Sequence, residues 1–247
     1  MINNFLINRV LSVTGFDKED NILYRLTQPQ NVGLSTTSET AEVVDALGTP
    51  IAVFDRSKSA ELTGENAIFD MKLLAEQHGT VVEVTAEAVP AFETIAVAEI
   101  ANKTLAHTPI NPDMVKVYAL NGDSSLGVAI DAVYDVDTSK VTMPEGVVAE
   151  HVLVSYEYKP DAATKVTVSA DKFATAHKVV VEILGCDVCD TENLIYGYLV
   201  MEAGKMSSDT DLTFGTDLVH SFTVSAQVSY CSPDKRLFYI VIPEDAE

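Results

Sequence analysis

Apolar residues recur at every second position through most of this chain, and only once does the spacing change to that of a helix. Strict alternation sets one side of an extended segment against a core and the other toward solvent, whereas a helix needs apolar positions three and four apart. Phe5-Leu6-Ile7 with Val10-Leu11, Ile22 to Leu26, Pro50 to Phe54, Val81 to Ala86, Thr94 to Ala98 and Met114 to Leu120 read as strands. So do Lys178 to Leu184, Leu194 to Met201, Asp211 to Phe214, Ser221 to Tyr230 and Leu237 to Ile242. The exception follows Gly64, where Ile68, Met71 and Leu74 share one face at helical spacing. This predicts a helix over 66–78, with Glu65 and Asn66 at its cap and Gly79 as its stop. A helix of about three turns does not hold by itself, so its apolar stripe has to pack on a sheet. The fold class expected is mainly β, a β-sandwich or barrel with one flanking α-helix.

A length of 247 residues suits one large β domain, or one that carries a smaller insertion. The stretch from Pro109 to Pro160 reads as a compact β unit of its own. Asn121-Gly122 between two alternating runs is a strong hairpin signal, and in HVLVSYEY the residues Val152, Val154, Tyr156 and Tyr158 fall on one face. The organisation expected is therefore a sandwich or barrel domain from 1–108 and 161–247, with an inserted small β subdomain at 109–160. Gln28 to Glu42 is rich in Gln, Ser and Thr without an apolar period, which predicts a long loop or irregular arm. Such an arm either touches neighbours in an assembly or is a surface loop. Ser221 to Tyr230 sets Phe222, Val224, Ala226, Val228 and Tyr230 on one side and only uncharged polar residues on the other. That suits a sheet with one buried face and one turned to solvent or to a channel.

Acidic residues outnumber basic ones 37 to 16, for a net charge of -21. The excess is spread along the chain and so belongs to a folded surface. Without a Lys/Arg cluster to release counterions, ordinary DNA or RNA binding is disfavoured. Carboxylates suit a passage through which DNA must slide without sticking; the alternative is that they keep the free subunit soluble. No run of about 18 apolar residues occurs, so no membrane span is expected. MINNFLINRVLSV lacks a basic region ahead of a continuous apolar stretch and reads as a first strand, not as a signal peptide.

Candidate chemistry is sparse. Cys186-Asp187-Val188-Cys189 has metal-ligand spacing, with Cys231 as a third ligand and His151, His177 or His220 as a fourth, but a closed zinc site needs four ligands and only one pair is spaced for it. The acids around Cys186 disfavour a thiolate, so reduced structural cysteines are the simpler reading beside a metal site or a disulfide. Asp187, Asp190 and Glu192, like Asp17, Glu19 and Asp20, have the chemistry of weak cation ligands without the EF-hand pattern, and solvated acidic turns account for them. There is no phosphate-binding Gly loop and no Gly-x-Ser-x-Gly elbow. The expectation is a non-enzyme with no catalytic, cofactor-binding or metal residues and no cofactor.

The segments EVVDALGTPIAVFDRSKSAELTGENAIFDMKLLAEQHGT, KVYALNGDSSLGVAIDAVYDVD, EHVLVSYEYK, KVTVSADKF and SAQVSYCSPDKRLFYIVIP resemble virion structural proteins of tailed bacteriophages, and most nearly the major tail tube proteins. That resemblance implies a β-sandwich or barrel of tail-tube type with a flanking helix near Asp70 to His78. It implies six subunits to a ring, stacked rings, and an arm at Gln28 to Glu42 reaching the next ring. It further implies self-association, contacts with other tail proteins such as a sheath or terminator, DNA passing through without specific binding, and no membrane partner. The location implied is the phage tail of the virion, after assembly in the host cytoplasm. A capsid decoration or other head protein with an Ig-like β module is the second family reading, with 109–160 as the displayed part.

Overall fold

The computed structural model describes residues 4–215, 219–228 and 235–243. The chain is mainly β, built from antiparallel pairings, and it divides into two compact units. One comprises residues 1–82 and 166–247; the other is Glu83–Lys165.

The first unit starts with β1 (Phe5–Phe16), β2 (Ile22–Leu26), β3 (Pro29–Val44), β4 (Pro50–Asn66) and the helix α1 (Met71–Gln77). The second unit contributes β5 (Val82–Thr85), β6 (Val89–Ala96), β7 (Lys116–Leu120), β8 (Leu126–Ile130), β9 (Val133–Asp135), β10 (Lys140–Thr142), β11 (His151–Tyr158) and β12 (Ala163–Val166). The chain then returns to the first unit as β13 (Ala176–Asp187), β14 (Asp190–Met206), β15 (Leu212–Thr213), β16 (Val219–Ala226) and β17 (Tyr239–Val241).

In the first unit the strands run in the order β2-β1-β13-β14-β16-β4-β3, with β17 also on β14 and β15 on β16. The two ends of that order, β2 and β3, are consecutive in the chain, and β1 comes close to β3, so the sheet curls toward closure. Bulges in the β1–β13 register near Ile7 and Val10 help it bend. The side chains enclosed by the curl include Val13, Tyr24, Leu26, Val179, Met201 and Phe222, all nearly without solvent contact. Gly64 is required there, because a Cβ on it would run into the Phe222 ring.

α1 is shorter than the spacing predicted and uses other residues. Asn66 belongs to β4, and the cap is Asp70, whose Oδ1 accepts from the backbone N–H groups of Lys72 (2.8 Å) and Leu73 (3.1 Å). The buried residues are Leu73, Ala75 and Gln77, whereas Ile68 is exposed and Met71 and Leu74 are half-buried. Gly79 does stop the helix, at φ +61°.

The Gln28 to Glu42 segment is a strand for nearly its whole length, not a loop. It pairs with β4 from Pro29 opposite Asn66 to Val44 opposite Pro50. No apolar period marks it because most of this ribbon has no core on either side, and Thr and Ser fit a strand whose support is cross-strand. Thr37 and Ser59 hydroxyls meet at 2.6 Å, and Ser57 Oγ donates to Glu39 at 3.2 Å. β16 is shorter than Ser221 to Tyr230 suggested and ends at Ala226; Tyr230 lies outside the described residues.

The second unit is a four-stranded sheet, β6-β11-β7-β8, with the hairpin β9–β10 and the pair β5–β12. Its core centres on Ile95, Val117, Tyr134, Val152, Val154 and Tyr156, with Tyr158 packed against the edge of that cluster. The Asn121-Gly122 turn closes the β7–β8 hairpin, with Asn121 N–H donating to the Ser125 carbonyl at 3.0 Å. The unit begins at Glu83 and not at Pro109, because β6 pairs along its length with β11, from Val89 opposite Tyr158 to Ala96 opposite His151. A pairing across some 60 residues leaves no mark in local spacing.

Candidate assembly surfaces

Two surfaces of the first unit stand out, and both grow from β4. On β16, Phe222 and Val224 enter the core, so Ser221, Thr223 and Ser225 point the other way. The register sets Glu65, Thr63 and Glu61 of β4 beside those three residues, and Gln30, Gly33 and Ser35 of β3 beyond them. On the other flank Lys205 of β14 faces Ser225. The result is a sheet face of small hydroxyl residues carrying two carboxylates against one amine. Asn31 Nδ2 donates to Glu65 at 2.9 Å and holds that carboxylate in place.

Beyond Glu61 the support of β16 ends, and β3 and β4 continue as a two-stranded arm. Nine residues of β3 and eleven of β4 give it a reach of roughly 30 Å. At its tip Asp45 organises the turn: its Oδ1 accepts from the N–H groups of Leu47 and Thr49, both at 2.8 Å, and Gly48 N–H donates to the Asp45 carbonyl at 3.0 Å. Those backbone donors hold the Asp45 carboxyl below the usual carboxylate range.

The residues with reactive chemistry are dispersed. Cys186 is buried in β13 opposite Leu6 and Leu194, while Cys189 is exposed in the following turn; both are free thiols. Cys231 lies outside the described residues. His151 sits on β11 in the second unit, and His177 and His220 are buried in the first. Among the described residues no group of three or more His, Cys, Asp or Glu is arranged to hold a metal ion. The acidic runs form turns: Asp17 accepts from the N–H groups of Glu19 and Asn21, both at 2.8 Å, and Asp187 accepts from Cys189 N–H at 2.8 Å. An open cleft of about 910 Å³ lies beside the first of these turns, where Asp20 and Glu76 mix with Lys18 and Lys178; Lys178 pairs with Asp20 at 3.1 Å.

The two buried histidines tie elements together. His177 Nε2 lies 3.1 Å from the Tyr24 hydroxyl and Nδ1 3.1 Å from the Thr175 carbonyl, so Nδ1 carries the proton and Tyr24 donates. Burial and the Glu76 charge push the Tyr24 phenol up, and burial pushes His177 down. Gln77, which spacing did not single out, is the joint between α1 and β16. Its Nε2 donates to the Ser221 carbonyl (2.8 Å) and its Oε1 accepts from His220 Nε2 (2.9 Å). The signal that could have revealed it is a Gln four residues after Leu73, on the buried side of a short helix.

Fold and surfaces together define a mainly β protein whose distinctive features are an open polar sheet face and a projecting ribbon. The chain matches the YomU/Tube protein family over residues 5–235 and belongs to that family. Membership places it with phage tube-type structural proteins, which are components of the virion. A search among curated proteins finds no match to it. No helix among the described residues is long and apolar enough to cross a membrane.

Proposed function

We propose that the protein is the subunit of a phage tail tube and has no catalytic role. Subunits close into rings of six, rings stack, and DNA passes along the channel without specific binding. The observation that carries this reading is the β3-β4-β16 face, a smooth hydroxyl and carboxylate surface on the same strands that extend into the arm. Such a face suits a channel wall, since each phosphate–ammonium contact would be worth about 1 kcal/mol in water and would recur along a genome. Ring closure gives the exposed strand edges partners and limits uncontrolled pairing. The arm supplies the reach from one ring to the next. Contacts with sheath or terminator proteins would follow at the outer wall and the tube ends, and assembly would take place in the host cytoplasm.

Negative-stain microscopy of concentrated protein tests the reading, followed by a structure of the assembled particle. Rings or tubes with Glu61, Glu65 and the β16 hydroxyls on the inner wall are expected. A lumen lined by Lys and Arg refutes the channel assignment. Strictly monomeric protein that decorates heads instead favours the Ig-like display reading.

A further inference from the structure

The four-stranded sheet of the second unit has two edges, and they differ. β6 carries Pro90, which lacks a backbone N–H, and the charged Glu93, and both discourage a further strand. β8 at the other edge reads LGVAI, with neither a proline nor a charge, and among the described residues its one strand partner is β7. Alternate backbone N–H and C=O groups along it therefore point outward with no ladder to join. Val117 opposite Ile130 and Tyr118 opposite Ala129 set its register, and Ile130 packs against the unit's core. Between Ala129 and Leu126 the strand holds one residue more than β7, a bulge where a Cβ on Gly127 would lie 3.0 Å from the Ala119 carbonyl oxygen. Such a bulge increases the local twist, which suits pairing with one short strand and works against an extended flat sheet. Leu126 is 58% exposed and Val128 75%, so an added strand would find apolar side chains to cover.

Acids mark both ends of this edge. Asp123 precedes β8, its carboxylate fixed in the turn by the Ser125 N–H (3.0 Å) and the Ser125 hydroxyl (2.6 Å), and Asp131 follows it; both are exposed. Glu150 lines a cleft with Asn121 and Gly122 of the same turn, and Asp135 and Asp137 come next in the β9–β10 hairpin. Two cations stand against them. Lys116, one step beyond Val117 on β7, lies across from Asp131 with its Nζ 3.5 Å from the Asp113 carbonyl, and Lys140 pairs in register with Asp135. The whole unit has 13 acidic residues against 5 basic ones, a net charge of -8. This pattern disfavours a second copy as the occupant, since antiparallel pairing of two β8 strands would bring Asp123 of each toward Asp131 of the other, and parallel pairing would set like beside like. We propose that β8 accepts an extended segment of a different protein as an added strand, one with β-branched residues at its centre and Lys or Arg at both ends. Main-chain hydrogen bonds supply the affinity, and the acidic ends fix register and select the partner. This pairing uses the second unit alone and is independent of tube formation.

The test titrates full-length chain into a dye-labelled peptide of three Val-Thr repeats with two lysines at each end, read by fluorescence anisotropy. Two control peptides carry glutamates in place of the lysines, or N-methyl groups on every Val and Thr amide, which remove the strand's backbone donors. The lysine-ended peptide is expected to bind at least ten-fold more tightly than either control. Asp131→Lys should weaken it at least five-fold with melting of the chain unchanged. Hydrogen exchange of the complex should slow at the β8 amides and stay as it was along β6. No binding of the lysine-ended peptide, equal binding of either control, full affinity in Asp131→Lys, or protection on β6 in place of β8 would overturn the proposal. So would disulfide-linked dimers of Val128→Cys forming readily in the chain alone, which would make a second copy the occupant.

Discussion

Replacing Gln77 by Met keeps the volume of a fully buried side chain and deletes both hydrogen bonds that join α1 to β16. The Ser221 carbonyl loses its amide donor, and the His220 Nε2–H loses its acceptor. An unmatched buried polar group costs about 1–3 kcal/mol, so two would cost about 2–6 kcal/mol. The upper part of that range is relieved by His220 itself. Asn66 lies opposite His220 in the register, and its Oδ1 and His220 Nδ1 are both buried without a partner. A tautomer with the proton on Nδ1 would donate toward Asn66 and remove one penalty, which leaves about 1–3 kcal/mol. For a domain of this size that lowers Tm by roughly 2–12 °C. Scanning calorimetry is the assay, because two units can melt in separate transitions and the loss should fall on the first unit's alone. A Q77M transition within 2 °C of wild type would refute the account of Gln77 as the joint.

Burial pushes both His177 and His220 below the ordinary value of 6.5, opposed in the first by the Thr175 carbonyl and in the second by Asp70. As the pH falls through about 6.5 the unfolded chain takes up these protons first, so the stability they give is whole above that pH and is lost progressively below it; Tm measured from pH 8 to 5 should fall, and less steeply in His220→Gln. Cys189→Ser should change stability by less than about 0.5 kcal/mol and Cys186→Ser, at a buried position, by about 1–2 kcal/mol, with assembly intact in both; loss of bound metal together with folding would contradict this. Gly79→Ala should cost roughly 1–3 kcal/mol by chemical unfolding, since Gly79 has φ +61° and its Cβ would strike the Phe173 backbone. Glu61→Lys combined with Glu65→Lys should leave assembly intact and slow DNA ejection in a salt-dependent way; an unchanged rate would remove that face from the channel.

The sequence by itself determined that the chain is mainly β with one short helix, because alternation and its single interruption are written in the spacing of neighbouring residues. It also separated the two faces of β16, and it located the β7–β8 turn at Asn121-Gly122. What spacing could not carry was pairing between distant segments. The polar Gln28 to Glu42 stretch became a strand only through β4, and the second unit took in β6 only through β11. Gln77 and His220, 143 residues apart, became a joint only when the helix was laid on the sheet. Local chemistry fixes which residues can extend and which can turn, while the choice among possible partners is made by the closing of the sheet around one core.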